Sequence, residues 1–336
     1  MSEPGLIVGD DVAVRLPRSY DPDRLVRDLE AVKHISLAAQ PGPYHNGEWR
    51  GIALHAQGGR QSAHPGYAGL DGYAPTEALD HAPYLAEILA GIPSPKRVVR
   101  LLTLPPGVEI EEHTDAWANW QCGTLRLHAP IVTHPDVVFM IDGERIEMPV
   151  GELWWGDFSR PHSVLNESPI TRVHMVIDLE IDAFALDLFP ADFVARRRAE
   201  GEGIAMHADP IPTTADALAA YACAFRMPSE VMPLFGAGRK LTELTAGARG
   251  ALRVDGDRLL ALLDDRPAFA LRPTGDGVFG VVGQTSGVTV EIAREGGRVS
   301  AMHLVLKGLP EDLYAAQLGF QQGPLVAKRR VPFPLV

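Results

Sequence analysis

Residues 124–131 read TLRLHAPI, and residues 171–179 read TRVHMVIDL. Successive side chains of an extended segment point to opposite faces. In the first run this sets Arg126 and His128 on one face and Leu125 and Leu127 on the other. In the second, Arg172, His174 and Asp178 share a face, and Val173, Met175, Ile177 and Leu179 share its reverse. Two such strands belong either to an ordinary half-exposed sheet or to a β interior with a polar lining. In the second case the buried charges need partners or a ligand.

Outward from these runs the strand pattern continues. VVRLLTL (98–104), VVFMI (137–141), RIEM (145–148) and ELWW (152–155) follow at short spacing, and Asp142-Gly143 is a two-residue hairpin signal. Many short strands without intervening helices predict a barrel or a double-sheet jelly roll, not a parallel α/β sheet. The 28 prolines and 33 glycines suit such a turn-rich chain. Helices are predicted at the flanks. In 21–33 Asp21 caps, Pro22 fits the first turn, and Leu25, Leu29 and Val32 form a stripe; 77–91 and 192–203 carry the other two.

The expected fold is therefore mainly β with flanking helices, with a double-stranded β-helix (jelly roll, cupin-like) core in residues 1–204. ADPIPTT (208–214) reads as a linker, and the boundary falls near 205. Residues 205–336 are expected to form a smaller C-terminal α+β domain acting as a substrate lid, in recognition or in assembly. Its helical patches are predicted around 215–226, 257–264 and 310–318, and its strands at 278–283, 288–293 and 298–306. Helices before a small sheet also suggest a winged-helix module, but a net charge of −12, from 31 basic and 43 acidic side chains, disfavours nucleic acid and anionic membrane as partners. No apolar window reaches the length of a membrane span, and MSEPGLIVGDD lacks the form of a signal peptide, so a cytoplasmic protein is expected. Two cysteines, Cys122 and Cys223, make neither a disulfide framework nor a thiolate zinc site.

The chemistry sits around the opening strands. His113 and Asp115 stand two apart, and WWGDFSRPHSVLNES (154–168) brings His162 back to the same region after a Gly-Asp turn. Two imidazoles and one carboxylate are the facial set that holds Fe(II) and leaves three positions open. His-x-Asp alone recurs by chance; joined to Pro161-His162 and an arginine ten residues later, it is specific. Other residues read as structural. His174 is a satisfied sheet histidine rather than a ligand, His134 and Asn166 are turn residues, and Asn119 is a weak substrate candidate. Trp117, Trp120, Trp154 and Trp155 are packing residues, of which one could line a pocket. Arg196, Arg197 and Arg198 end a helix, Lys328-Arg329-Arg330 is a solvated tail, and GVFGVVGQTSG (277–287) lacks the order of a nucleotide loop.

Residues 98–180 resemble the catalytic core of the Fe(II)/2-oxoglutarate-dependent dioxygenases, in the branch of aspartyl/asparaginyl β-hydroxylases and bacterial proline hydroxylases. The resemblance rests on His113-Thr114-Asp115, on Leu125-Arg126-Leu127-His128-Ala129-Pro130, on Gly156-Asp157, and on His162 and Arg172. It covers about a quarter of the chain; WRGIALHAQGG (49–59) is more loosely similar to the family's entry strand, and nothing beyond about 205 resembles it. The resemblance implies that His113, Asp115 and His162 bind Fe(II), that Arg172 grips the distal carboxylate of 2-oxoglutarate, and that Arg126 and His128 assist at this cosubstrate. Keeping the acid at 115 favours hydroxylation over halogenation. The implied activity uses Fe(II), 2-oxoglutarate and O2 to hydroxylate an unactivated C–H of an amino acid, free or carried on a peptide or carrier, releasing succinate and CO2. Small molecules or peptides are the expected partners, a homodimer is left open, and the alternatives are a cupin-type metal isomerase or a non-catalytic small-acid sensor.

Overall fold

The computed structural model describes residues 6–8, 11–40, 42–62, 64, 66–200, 203–235, 248–313 and 325–336. In chain order the first thirteen strands are β1 (Leu6–Val8), β2 (Ala13–Ser19), β3 (Ala38–Ala39), β4 (Arg50–Gln57), β5 (Tyr73–Pro75), β6 (Lys96–Leu104), β7 (Glu109–His113), β8 (Thr124–Val132), β9 (Val137–Ile141), β10 (Glu144–Arg145), β11 (Glu152–Gly156), β12 (His162–Asn166) and β13 (Arg172–Glu180). They build two antiparallel sheets. The major one runs β1-β2-β11-β8-β13-β6-β4-β3, with β5 beside β4; the minor one runs β10-β9-β12-β7. This is the double-stranded β-helix expected from the strand pattern.

Alternation decides which way the major sheet faces. Leu125, Leu127, Val173, Met175, Ile177 and Leu179 are buried beneath helices, packed with Leu25 and Leu29 of α1 (Pro22–Ala31). The same cluster takes in Leu85, Ile88 and Leu89 of the helix Pro83–Ala90, and Phe193 of the helix Ala191–Ala199. Asp21 caps α1, accepting from the backbone N–H of Asp23 and Arg24. The helix expected over 77–91 is split in two: α2 (Glu77–Asp80) stops, and Pro83, which cannot donate an N–H, opens α3 (Pro83–Ala90). After β13 come α4 (Ala183–Asp187) and α5 (Ala191–Ala199). The opposite face of the major sheet meets the minor sheet, and Leu104 and Trp154 pack there against Ile110, Phe139, Ile141 and Val164. Asp142 and Gly143 adopt φ of 50° and 80° in the β9–β10 turn, the left-handed pair that such a hairpin needs. The expected strand at 145–148 shrinks to the two residues of β10.

The C-terminal part carries α6 (Ala215–Ala219), α7 (Met232–Phe235) and eight strands: β14 (Ala224–Arg226), β15 (Arg249–Asp255), β16 (Arg258–Leu263), β17 (Arg266–Gly275), β18 (Val278–Val281), β19 (Val288–Glu295), β20 (Arg298–Leu309) and β21 (Val326–Pro332). Each pairs antiparallel with the next. The chain's last residues then return to the first strand: Arg226 N–H donates to the Pro334 carbonyl at 2.8 Å and Val336 N–H to the Ala224 carbonyl at 3.1 Å. The meander thus closes into a barrel filled by apolar side chains, among them Phe225, Phe269, Phe279, Met302 and Phe333.

Three expectations differ from the structure. Residues 257–264, read as a helical patch, form strand β16, because Leu259–Leu263 find pairing partners on both sides, in β15 and β17. Residues 328–330 are not a solvated tail but part of β21, where Arg329 pairs with Glu230 and Arg330 with Glu291. In the patch read as helix over 215–226, only 215–219 is helical and 224–226 is strand. Of the helix expected over 310–318, residues 314–318 lie outside the described residues.

Candidate metal centre

The two sheets contribute different chemistry to the space between them. From the minor sheet, β12 and β7 pair so that His162 lies directly opposite His113. Asp115 follows two residues after His113, held by its N–H donating to the Phe158 carbonyl at 2.8 Å. One ligand atom from each of His113, Asp115 and His162 falls within a sphere of mutual distances no greater than 4.8 Å. His113 Nδ1 lies 2.9 Å from the Glu111 carbonyl oxygen and His162 Nδ1 lies 2.9 Å from that of Arg160. Each Nδ1 is therefore a protonated donor, and in the neutral ring Nε2 is the nitrogen with the free lone pair. His113 Nε2 is buried without any hydrogen-bond partner. The Tyr44 ring stacks on His113 at 3.8 Å between centroids, and the Phe158 ring meets His162 edge-on at 5.1 Å.

Burial, followed by the neighbouring His162, pushes His113 down to about 4, so the ring is neutral and ready to coordinate. Asp115 is half-buried, and desolvation alone would raise its carboxyl. Arg126 and the two histidines outweigh that and hold it well below the usual carboxylate range. Two imidazole nitrogens and one carboxylate oxygen, held by a strand pair and the segment that follows it, are the donor set for a divalent cation of borderline softness.

The major sheet supplies cations. Arg126 and Asp178 are cross-strand partners on β8 and β13, and their side chains meet as a bidentate pair at 2.6 and 2.8 Å. Arg126 also donates a short hydrogen bond to Asp115. Burial would lower Arg126, but Asp115 and Asp178 prevail and hold it above its ordinary value. Arg100 on β6 joins the group, donating to Gln40 at 2.7 Å and lying 3.5 Å from Asp178.

Arg172 differs from these. It is 2% exposed and its Nη2 donates to His174 Nδ1 at 2.7 Å, while its Nε has no partner. No carboxylate pairs with it among the described residues. Burial accordingly pushes its guanidinium down to about 9. Because His174 Nδ1 accepts from Arg172, the His128 Nδ1 3.2 Å away must be the donor in that contact. Burial and then Arg172 drive both imidazoles well below their ordinary value. A cavity of about 30 Å³ joins His113, Asp115 and His162 to Arg126, His128 and Arg172.

All six candidate residues named from the sequence thus meet in one place. His174 is a sheet histidine with a task the alternation alone did not assign: it orients Arg172. Of the four tryptophans weighed from the sequence, Trp117 lines a pocket, the larger one beside Asp115 and Arg126. Asn119 is a joint, bonding the Ala116 and Gly308 carbonyls and the Cys122 N–H. Tyr44, Arg100 and Phe158 were not singled out. Arg100 carried a signal, a lone cation within VVRLLTL; the loop residue Tyr44 carried none.

The comparisons with known proteins agree with this geometry. The model of the aspartyl/asparaginyl beta-hydroxylase family matches residues 23–181. The chain is 27% identical over 176 residues to L-proline cis-3-hydroxylase 1 from Streptomyces sp, covering 48% of this chain and 58% of that one. It is 25% identical over 167 residues to L-proline cis-4-hydroxylase from Rhizobium meliloti (strain 1021), covering 49% and 59%. The chain thus spans less than two thirds of the length of these curated relatives. A solved prolyl-4-hydroxylase from Pseudomonas putida is 16% identical over 49% of this chain and 90% of that one, with a TM-score of 0.32, a likeness too distant to carry weight. Among the described residues no helix is long and apolar enough to cross a membrane. Residues 23–181, with their His-x-Asp and distal histidine, match the model of the aspartyl/asparaginyl beta-hydroxylase family and are similar to two bacterial proline hydroxylases.

Proposed function

We propose that the protein is an Fe(II)/2-oxoglutarate-dependent dioxygenase that hydroxylates an amino acid. The observation that carries this reading is Arg172, a buried guanidinium with no counter-ion among the described residues, set across a small cavity from His113, Asp115 and His162. An unpaired buried charge is expensive to maintain. A dicarboxylate placing one carboxylate at Arg172 would compensate it. The isomerase alternative leaves it unexplained; a small-acid sensor would also fill it, and turnover separates the two readings.

In this reading His113 Nε2, Asp115 and His162 Nε2 hold Fe(II), which with 2-oxoglutarate and O2 supplies the oxidising chemistry that converts C–H to C–OH, with succinate and CO2 as co-products. Glu111 and Arg160 fix the imidazole rings through their carbonyls, a support that raises ligand basicity. Arg126 steers the Asp115 carboxylate, and Asp178 holds Arg126 in place. Arg172 grips the distal carboxylate, with a planar fork suited to a bidentate contact. His174 and His128 stay neutral and hold that fork in position. Phe139 and Phe158 line the cavity and exclude water. We assign the metal and cosubstrate site to residues 1–204 and a role at the substrate to residues 205–336.

The named relatives act on L-proline, which makes a free amino acid the first substrate to try. The test is succinate release by the full chain with Fe(II), 2-oxoglutarate, ascorbate and an amino-acid screen, together with a product heavier by one oxygen. Tight 2-oxoglutarate binding with no succinate from any compound would favour a sensor and overturn the proposal.

A further inference from the structure

A second cavity, of about 130 Å³, opens beside Asp115 and Arg126, and the jelly roll does not enclose it alone. Tyr67 and Trp117 face Pro233, Leu234 and Gln284, which come from the C-terminal part. Leu234 is 2% exposed and Gln284 9%. Gln284 Nε2 donates to the Leu234 carbonyl at 3.1 Å. That bond sets the amide's orientation, since a flipped amide would oppose two oxygens. The Gln284 amide oxygen is left to accept a hydrogen bond.

The same part of the barrel holds the opposite wall. Ala68 N–H donates to the Leu234 carbonyl at 3.2 Å, Gly69 N–H to Val282 at 2.9 Å, and Ala270 N–H to Gly69 at 2.9 Å. The Ala68 methyl is fully buried in the barrel's apolar core, and the Arg258 guanidinium donates to the Leu70 carbonyl at 2.7 Å. The Gly283 carbonyl accepts from both Tyr73 Oη and Arg97 Nη2, at 3.0 and 3.1 Å. Gly283 has φ +86°, and a Cβ there would lie 2.0 Å from the Tyr67 carbonyl oxygen. The strap that carries Tyr67 is therefore fastened to the barrel by backbone contacts.

We propose that the C-terminal barrel is a wall of the catalytic chamber, in which Leu234 and Gln284 touch the substrate, and that the chamber takes a free amino acid rather than a residue within a peptide. The proposal rests on the hydroxylase reading above. A peptide must leave its pocket on two sides, and here one side is closed by strap and barrel bonded together. Leu234 offers an apolar contact to the aliphatic part of the substrate. The Gln284 oxygen accepts from an amino or imino N–H, which an N-acylated residue has lost or altered.

The test uses the full chain with Fe(II) and 2-oxoglutarate, reading succinate above the substrate-free background. Free L-proline and the other common L-amino acids are compared with their N-acetyl, C-amide forms. Free compounds should drive turnover and the capped forms should not. With the best substrate, Gln284→Leu and Leu234→Ala should raise its half-saturation by about tenfold or more, the equivalent of ~1.4 kcal/mol. The half-saturation for 2-oxoglutarate should stay within about twofold, and Leu234→Ala should shift preference toward bulkier side chains. Should Leu234→Ala fail to fold, Leu234→Met and Gln284→Leu carry the test. Unchanged substrate half-saturation and preference in these two variants, or equal turnover of capped and free compounds, overturns the inference and leaves the hydroxylase reading standing. A parent protein that makes no succinate, with or without any compound, overturns both.

Discussion

Between the two sheets of the jelly roll lie His113, Asp115, Arg126, His128, His162, Arg172 and Asp178. Inside the C-terminal barrel, at equally inward positions, lie Phe225, Leu252, Phe269, Leu271, Phe279 and Leu304. Both interiors are walled by antiparallel strands. The barrel's side chains can be accounted for by packing alone, since apolar atoms need only neighbours. The jelly roll's cannot, because every buried charge and imidazole needs a partner, and His113 Nε2, Arg172 Nε and His174 Nε2 have none among the described residues. The difference separates an interior built for stability from one built around groups that must arrive from outside.

The sharpest way to break the comparison is to remove a donor from the polar interior. His162→Ala should abolish iron binding and turnover, a larger loss than the roughly 10–100-fold that follows from losing a supporting partner of a ligand. Its circular dichroism should match the parent. Wild-type turnover at low Fe(II) would show that His162 is no ligand. Asp115→Gly should lose hydroxylation yet retain metal through the two imidazoles, measured by metal analysis after gel filtration. Hydroxylation at the parent rate would remove Asp115 from the site.

The apolar interior should respond in the opposite sense. Phe269 is fully buried against Phe235, and Phe269→Ala should cost about 3–5 kcal/mol of stability in denaturant titrations. The folded fraction should bind 2-oxoglutarate as the parent does. A large loss of cosubstrate affinity with little loss of stability would mean that the barrel was misread.

Acid should distinguish the two interiors more mildly. Burial holds His64 at about 3, and burial and then Arg172 hold His128 and His174 well below their ordinary value. Unfolded, each takes up a proton near 6.5. Below that pH the unfolded chain binds more protons than the folded one, so stability falls as pH falls. The three histidines act in the same sense, so their losses add as pH falls through the unfolded value. Hydrogen exchange on the metal-free protein should therefore show the jelly-roll strands losing protection before the barrel strands between pH 7 and 5. Simultaneous loss, or loss from the barrel first, would contradict this.

Much of the jelly roll was legible because alternation is a local signal. Leu125 and Arg126 declare opposite faces without any knowledge of what covers them. The flanking strands β7 and β12 were less legible: Glu109–His113 carries one inward apolar residue, Ile110, before its histidine, too few to establish a period. Residues 258–263 misled because a run of leucines suits either a helix or a buried strand, and only the pairing with β15 and β17 decides. The metal donors could be read because their spacing is fixed by one strand end and one turn. Leu234 and Gln284 could not, because they reach the pocket through a strap and a barrel whose contacts span more than 150 residues of sequence.

The central claim is that Arg172 awaits a carboxylate, and its direct test is 2-oxoglutarate binding to the Fe(II)-loaded protein under anaerobic conditions, by calorimetry, in the parent and in Arg172→Lys. Lysine keeps the charge and loses the planar fork. Losing a charge-assisted pair in a desolvated pocket costs roughly 2–5 kcal/mol, by analogy with buried pairs at interfaces. The account predicts that 2-oxoglutarate affinity falls by one to several orders of magnitude, at about tenfold per 1.4 kcal/mol, while Fe(II) affinity is unchanged. Equal 2-oxoglutarate affinity in the two proteins would contradict it.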